Sequence, residues 1–309
     1  MLMQMINILG PITLITLIGF ILGRSSVGLQ SRTLSSLVML VATPALVFAT
    51  LTAMHVDLAT IGKMAGSALL TLLIAGALAL AVLTACGASI RSFLPSLMLP
   101  NSGNMGLPLV VLAFGPEGAR LGISFFFVVA LFQYSVGLTI SSGSLRLGDI
   151  AQQPLIYSVL LVLLVAGLDL PVPQVILKTT EMLGGMMIPS MLILLGTSLA
   201  TLKVSDFGPA FAVAVGRLLI GIFAGAAVIY LLGLTGIAAG IVFLMAAMPS
   251  AIVTYVFAER FQQSPNRVAG AVVMSTLLTF VFLPALVWTS LWIAEPAGAV
   301  ALDQEGRSP

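Results

Sequence analysis

Charge is the scarcest property of this sequence. Only 7% of its 309 residues are charged, whereas 60% are hydrophobic and the mean hydropathy is +1.20. A water-soluble surface usually needs roughly a quarter or more charged residues, so a soluble globular protein is excluded. The net charge of +2 is small and dispersed along the chain, which leaves no basic patch for binding nucleic acid. The sequence is that of an integral membrane protein, with the lipid bilayer as its partner.

Metal-ligating and nucleophilic residues are almost as scarce. The chain has one cysteine, Cys86, and one histidine, too few for an internal disulfide or a catalytic zinc site. All ten carboxylates fall in predicted loops or at the ends of apolar runs, which excludes an aspartyl intramembrane protease. The sequence therefore predicts no catalytic residue, no metal and no cofactor, and we do not expect an enzyme.

Long apolar runs are what the sequence has in abundance. Runs of about 20 apolar residues, the length that crosses a bilayer as a helix, occur ten times. The predicted spans are residues 5–23, 33–53, 65–88, 92–114, 120–141, 154–170, 179–200, 209–232, 236–258 and 269–292. The predicted fold is therefore an all-α integral membrane protein with ten transmembrane helices.

Basic residues determine the expected orientation, because cytoplasmic loops carry the excess of Lys and Arg. With ten alternating spans, one side holds seven basic residues and the other holds four, while Arg217 lies inside a span. We therefore expect both termini to lie outside the cytoplasm. The first apolar run has no small-residue cleavage site, so we expect it to be a span and not a removable signal peptide.

The spans divide into two equal sets. The longest polar connection, residues 141–153, separates five spans from five. An odd number of spans in each half makes the second half enter the membrane from the opposite side, which is the condition for an inverted repeat. We predict that residues 1–147 form the first repeat and residues 148–309 the second.

The fourth span cannot be an ordinary helix throughout. Its middle holds two prolines, each of which removes a backbone donor, and two glycines, which loosen the segment between them. These crossover residues are Pro100, Gly103, Gly106 and Pro108. Asn101, Ser102 and Asn104 lie among them near the midpoint of the span, where an unpaired polar group costs several kcal/mol. A broken transmembrane helix accounts for all of these residues.

The ninth span, fourth in the second half, is interrupted in the corresponding place. Pro249 lies in mid-span and is followed by Ser250, Thr254 and Tyr255. Corresponding interrupted helices in two halves indicate a transporter's binding site at the bilayer midplane. The alternative is that these prolines and glycines only kink membrane helices, in which both residues are common.

Both interruptions resemble those of the auxin efflux carrier family, within the wider group that includes bile acid carriers. The resemblance rests on Leu99-Pro-Asn-Ser-Gly-Asn-Met-Gly-Leu-Pro108 and on Met248-Pro-Ser-Ala-Ile-Val-Thr-Tyr-Val-Phe-Ala-Glu-Arg260. It implies a homodimer in which helices 1, 2, 6 and 7 form a scaffold, while helices 3–5 and 8–10 form a transport domain that moves as an elevator. The short connection between the fifth and sixth spans favours a compact prokaryotic-type member, in a bacterial inner membrane.

Polar side chains inside the spans are the candidate substrate ligands. They are Asn101, Ser102, Asn104, Gln133, Tyr134, Ser250, Thr254 and Tyr255. The amides of Asn101 and Asn104 can donate to an anionic oxygen, although they can equally satisfy backbone groups that the prolines leave free. We expect Tyr255 to pack with its hydroxyl satisfied unless it contacts substrate.

Arg217 lies about two turns into the eighth span, and a charge at that depth indicates function by default. It can attract an anion or hold an internal tether, or its long stem can snorkel to the cytoplasmic boundary. We expect an electrostatic role in anion transport.

The expected function is secondary transport of small organic carboxylates, auxin-like or dicarboxylate-like, most simply as efflux. In an inverted repeat the second halves of both broken helices start at one place, and each start carries about half a positive charge that suits an anion. The membrane potential, about 2.3 kcal/mol per charge per 100 mV, drives anions out of a negative cell. The alternatives are a sodium- or proton-coupled importer and an anion channel; a membrane enzyme or receptor is disfavoured.

Overall fold

The computed structural model describes residues 2–26, 29, 31–53, 58–144, 148, 154–168 and 170–295. Within those residues the elements are helices, and strand pairing is limited to one isolated bridge. Helices form because a helix satisfies its own backbone hydrogen bonds, which the bilayer interior requires. The predicted repeat boundary at residue 147 and the chain end at Pro309 lie outside the described residues.

Fourteen α-helices follow one another along the described chain. The first half holds α1 (Leu2–Arg24), α2 (Ser31–Leu37), α3 (Thr43–Ala53), α4 (Leu58–Ala85), α5 (Ile90–Met98), α6 (Leu107–Phe132) and α7 (Leu138–Ser142). The second half holds α8 (Pro154–Gly167), α9 (Gln174–Gly185), α10 (Met187–Thr201), α11 (Phe207–Leu232), α12 (Gly236–Ala246), α13 (Val253–Arg260) and α14 (Pro265–Ala294). π-Helical turns join α2 to α3 (Val38–Ala42), precede α6 (Ser102–Gly106) and join α6 to α7 (Gln133–Gly137).

Seven helical stretches in the described chain are long and apolar enough to cross a membrane. They are Met5–Arg24, Thr33–Thr50, Ala59–Ala85, Ser102–Ser142, Gln174–Thr201, Phe207–Leu232 and Pro265–Ala294. The 41-residue stretch changes direction at Gly115, whose φ of 62° and ψ of −147° are open to glycine but strained for other residues. The prediction of an all-helical, multi-pass membrane protein is confirmed, whereas the count of ten spans stays a prediction.

The helices pack in two sets. In one set α1 packs against α10, while α3 packs against α8 and α9. In the other set α4 packs against α5, α6 and α11, and α14 packs against α11, α12 and α13. Glycines allow the closest approaches, as small residues do in membrane proteins: a Cβ on Gly19 or Gly196 would overlap the α1–α10 interface, and a Cβ on Gly221 would overlap the Ala246 carbonyl.

Candidate functional site

The two proline-containing interruptions lie side by side. Helix α5 ends at Met98 and α12 ends at Ala246, and the segments that follow run antiparallel with a bridge between Pro100 and Ser250. The Asn101 N–H donates to the Pro249 carbonyl oxygen (2.7 Å), and the Ala251 N–H donates to the Leu99 carbonyl oxygen (3.0 Å). We call residues 99–101 and 249–251 the crossing; it satisfies part of the backbone that the two helices leave open.

Arg217 lies beside the crossing, and its guanidinium donates hydrogen bonds at the ends of both preceding helices, α5 and α12. Its Nη1 donates to the Leu97 carbonyl oxygen (2.9 Å) and more weakly to that of Met98 (3.5 Å). Its Nη2 donates to the Ala246 carbonyl (2.6 Å), and its Nε to that of Met248 (3.1 Å). The last carbonyls of a helix lack intrahelical partners and carry partial negative charge, so one guanidinium caps α5 and α12 together.

This position distinguishes among the roles considered for Arg217. The residue is 1% exposed and bonds backbone carbonyls in the interior, so it does not snorkel to a membrane boundary. The internal tether is the role that the contacts match. An electrostatic effect on an anion, exerted through space, stays a prediction.

Asn101 starts the helix that follows the first interruption. Its Oδ1 accepts a hydrogen bond from the Asn104 N–H (3.3 Å), and its carbonyl oxygen accepts from the N–H groups of Met105 and Gly106. The side-chain Nδ2 has no hydrogen-bond partner, although the residue is only 4% exposed. A buried donor without a partner costs about 1–3 kcal/mol, and a bound acceptor would offset that cost.

A cavity of about 530 Å³ opens beside the crossing. Its crossing-side wall is formed by Asn101, Gly103, Asn104, Ala251, Ile252 and Val253. Apolar side chains from two other places close it: Val38, Met39 and Leu40 at the α2–α3 junction, and Met191 and Leu194 of α10. The volume falls in the range of small-molecule sites, which are mostly apolar with a few polar groups.

Gln133 and Tyr134 line the same cavity, on the π-helical turn between α6 and α7. Gln133 Nε2 donates to the Pro100 carbonyl oxygen (3.1 Å), so it supports the crossing. The Tyr134 hydroxyl donates to Met39 Sδ (3.3 Å), and its ring meets Phe257 edge-on with the ring centroids 5.9 Å apart. Four predicted ligands, Asn101, Asn104, Gln133 and Tyr134, are therefore brought together at one cavity.

The other four predicted ligands do not line this cavity. Ser102 is buried, and its hydroxyl has no hydrogen-bond partner. The Ser250 hydroxyl donates to the Ser96 carbonyl oxygen (2.7 Å), and the Thr254 hydroxyl donates to the Ala251 carbonyl oxygen (2.7 Å). The hydroxyls of Ser250 and Thr254 therefore stabilise the crossing without lining the cavity.

Tyr255 also lies outside the lining. Its hydroxyl donates to Glu259 Oε1 (3.1 Å), one turn further along α13. The expected alternative, a tyrosine with its hydroxyl already satisfied, matches this contact.

Four polar lining residues were absent from the predicted set: Thr43, Arg260, Ser35 and Ser36. The Thr43 hydroxyl is buried without a hydrogen-bond partner, and Arg260 ends α13 at the edge of the cavity. A threonine before a proline in the second span was an available signal for the first. A terminal arginine on the basic side of the membrane gave no signal of its own, because such arginines are expected there. In the described chain no group of three or more His, Cys, Asp or Glu is arranged to hold a metal.

A multi-pass helical protein with a buried polar crossing beside a small-molecule cavity has the features of a membrane transporter. Residues 142–292, just under half of the chain, match a family described as membrane transport protein, which is the auxin efflux carrier family. The resemblance drawn from the two interruptions is thereby confirmed. The family match contains the second interruption and not the first.

A curated relative agrees with this assignment. The chain is 27% identical over 202 residues to an uncharacterized transporter of Methanocaldococcus jannaschii. The match covers 62% of this chain and spans 65% of the length of that relative. The protein is therefore similar to a transporter over most of its own length.

Proposed function

We propose that the protein is a secondary transporter that binds a small organic carboxylate in the cavity beside the crossing. The observation that carries this proposal is the unpartnered Nδ2 of Asn101, a nine-tenths-buried donor on the cavity wall. It lies at the start of a helix, where the backbone N–H groups point outward and the dipole favours negative charge. A carboxylate there supplies the acceptor that the amide lacks.

The charge distribution around the crossing supports an anion. The helix that follows the second interruption also starts on the cavity wall, at Ile252 and Val253, so two helix starts face the same space. The opposite partial charges, at the ends of α5 and α12, are neutralised by Arg217. The positive ends are thus left facing the cavity, while the negative ends are covered.

Ten spans in an inverted repeat account best for the shorter helices that are not part of the seven long apolar stretches. The predicted fourth span corresponds to α5 with the start of the 41-residue stretch, the sixth to α8, and the ninth to α12 with α13. The antiparallel bridge is what two inverted interruptions would form at their meeting point. We propose that the α1, α3, α8, α9 and α10 set is the scaffold of a homodimer and that the other set moves as an elevator.

The cavity edge supports loading from the cytoplasm, and hence efflux. Ser35, Ser36, Pro154 and Arg260 line the cavity and lie next to connections that belong to the basic side of the proposed topology. That side is the cytoplasm by the positive-inside rule, which places both termini outside. In a bacterial inner membrane the potential would then drive a bound anion outward.

Counterflow in vesicles tests the proposal. Purified protein is reconstituted in vesicles loaded with an unlabelled carboxylate, and uptake of the labelled carboxylate from outside is followed. A carrier gives saturable uptake that the internal substrate accelerates, because loaded carriers return faster than empty ones. A channel gives flux that neither saturates nor responds to internal substrate. No specific flux across a panel of mono- and dicarboxylates would contradict carboxylate transport.

A further inference from the structure

We propose that Thr43 is a second substrate-binding residue, whose hydroxyl pairs with a hydroxyl group on the body of the transported carboxylate. This inference rests on the proposed function, since it assumes that the carboxylate binds beside the crossing. It assigns a residue outside both interruptions of the chain, and it narrows the preferred substrates to hydroxylated organic acids.

The Thr43 hydroxyl shares with the Asn101 amide a property that is rare in this protein. Within the described residues six buried side-chain groups lack a hydrogen-bond partner, and Thr43 Oγ1 and Asn101 Nδ2 are the two that belong to residues lining the cavity. Both residues are only 4% exposed. Buried polar groups are normally paired, because a buried hydroxyl without a partner is unfavourable. A molecule bound in the cavity can supply the missing partner to each group.

Thr43 lacks a partner because of its place in the helix. Threonines elsewhere in the described helices donate to the carbonyl oxygen four residues earlier, as Thr71 and Thr276 do at 2.7 and 2.8 Å. Thr43 directly follows the π-helical turn Val38–Ala42, and its backbone N–H bonds five residues back, to the Val38 carbonyl oxygen. The four-residue register that the other hydroxyls use is interrupted there, which leaves the Thr43 hydroxyl without an acceptor in its own helix.

The π-helical turns as a group lie at the cavity. The three in the described part of the chain, Val38–Ala42, Ser102–Gly106 and Gln133–Gly137, each contribute lining residues. Such turns are rare and occur frequently at functional sites. The turn before Thr43 has the same relation to the cavity as the two turns that hold predicted ligands, which supports a role for Thr43 in the same site.

The two unpartnered groups belong to different helix sets. Asn101 lies between α5 and α6, which pack against α4, whereas Thr43 begins α3, which packs against α8 and α9. The three lining residues of the turn before Thr43, namely Val38, Met39 and Leu40, have apolar side chains, so a water molecule there lacks the two to four polar partners that hold a buried water. A hydroxyl on the substrate can both donate and accept, as the threonine hydroxyl can, and is the complementary group.

Ring-substituted phenylacetates provide the test, because a methyl and a hydroxyl group are similar in size and only the hydroxyl forms hydrogen bonds. Binding of phenylacetate and of its 3-hydroxy, 4-hydroxy, 3-methyl and 4-methyl derivatives to purified protein is measured calorimetrically at neutral pH, where the phenol is uncharged. We expect the wild type to bind the hydroxy acid about fivefold more tightly than the methyl acid for at least one ring position, as one added neutral hydrogen bond allows.

Thr43→Val keeps the shape of the side chain and replaces its hydroxyl by a methyl group. The variant should reverse the preference, so that the methyl acid binds more tightly than the hydroxy acid at the same ring position, because the ligand hydroxyl then loses its partner. Without ligand, Thr43→Val should melt a few degrees above the wild type, since an unpartnered buried hydroxyl has been removed. A hydroxyl with a structural role would give a lower melting temperature.

Thr16→Val is the matched control. The Thr16 hydroxyl of α1 is also buried without a hydrogen-bond partner, but Thr16 does not line the cavity. Thr16→Val should therefore also melt above the wild type, while its preference between hydroxy and methyl acids should stay that of the wild type.

Four results would overturn the assignment of Thr43. They are no preference of the wild type for a hydroxy acid at either ring position, an unchanged preference in Thr43→Val, a preference lost equally in Thr16→Val, and a melting temperature of Thr43→Val below that of the wild type. In each case the proposed function stands where phenylacetate itself binds the wild type. If none of the five acids binds, the assignment of Thr43 fails, and the counterflow panel decides the proposed function separately.

Discussion

Replacing Arg217 by Gln should destabilise the protein severely. The guanidinium donates to the carbonyl oxygens of Leu97, Met98, Ala246 and Met248, whereas a carboxamide has only two N–H groups. At least two of those carbonyls then lose their donor. A hydrogen bond from a charged donor contributes about 1.5–3 kcal/mol, so Arg217→Gln should lower the free energy of unfolding by about 3–5 kcal/mol.

Thermal unfolding in detergent measures this loss. The chain has two tryptophans, Trp288 and Trp292, both on α14, and their fluorescence reports unfolding of the helix set that holds the crossing. We expect the melting temperature of Arg217→Gln to fall by roughly 10 °C. Arg217→Lys should fall less, because it keeps the charge and three donors but lacks the fork that reaches both helix ends. Carboxylate uptake should follow the same order.

The control for this measurement is Arg267→Gln. The Arg267–Asp206 ion pair has side chains 57% and 45% exposed, and an exposed pair contributes no more than about 1 kcal/mol. Its melting temperature should therefore change by only a few degrees. If the melting temperatures of Arg217→Gln and Arg267→Gln are equal, the Arg217 guanidinium does not stabilise the ends of α5 and α12, and its role as their shared cap is refuted.

Three further predictions concern the topology, a close helix contact and a cavity side chain. A reporter active only in the cytoplasm, fused after Pro309, should be inactive, because the distribution of basic residues predicts that both termini lie outside; activity there would overturn the ten-span topology. Gly221→Ala should lower the melting temperature by several degrees, because the added Cβ overlaps the Ala246 carbonyl. Gly208→Ala is the control and should melt as the wild type does, because nothing lies within 4 Å of its Cβ position. Equal melting temperatures for the two variants would refute the close approach of α11 and α12. Tyr134→Phe should leave carboxylate binding within about twofold, since the lost hydroxyl donates only to the weak acceptor Met39 Sδ; a larger loss measured calorimetrically would make Tyr134 a direct ligand.

The positions where α5 and α12 end were predictable because proline acts locally. Pro100 and Pro249 cannot donate a backbone hydrogen bond, which disfavours a helix that continues through them, and α5 and α12 end just before them, at Met98 and Ala246. The polar character of the first interruption was predictable for the same local reason, since Asn101 favours the start of a helix.

The partners of these groups were not predictable. Arg217 bonds backbone carbonyls, which every residue carries, so no sequence pattern identifies them. Helical periodicity alone places Val253, Val256 and Phe257 on one face of α13 and Tyr255 on another. Which face meets the cavity depends on packing against α5, α7 and α14, and the single sequence does not encode that packing as a pattern.

The apolar residues that line the cavity could not be predicted from the sequence, for a related reason. Met39, Met191 and Leu194 are ordinary residues in membrane helices, and they become lining residues only because separate parts of the chain pack across from the crossing. A polar residue in an apolar span stands out in a sequence, whereas an apolar residue beside a cavity does not.

Carboxylate binding to Asn101→Asp tests the central claim most directly. The substitution keeps the size of the side chain and its capping oxygen, but it replaces the unpartnered Nδ2 with a second anionic oxygen facing the bound carboxylate. Asn101→Ala, which only removes the donor, should weaken binding by about tenfold or more, corresponding to about 1–3 kcal/mol. Calorimetry on folded, purified variants should show almost no carboxylate binding by Asn101→Asp at neutral pH. Binding as tight as that of the wild type would show that the anion lies elsewhere and that the crossing is only a structural junction.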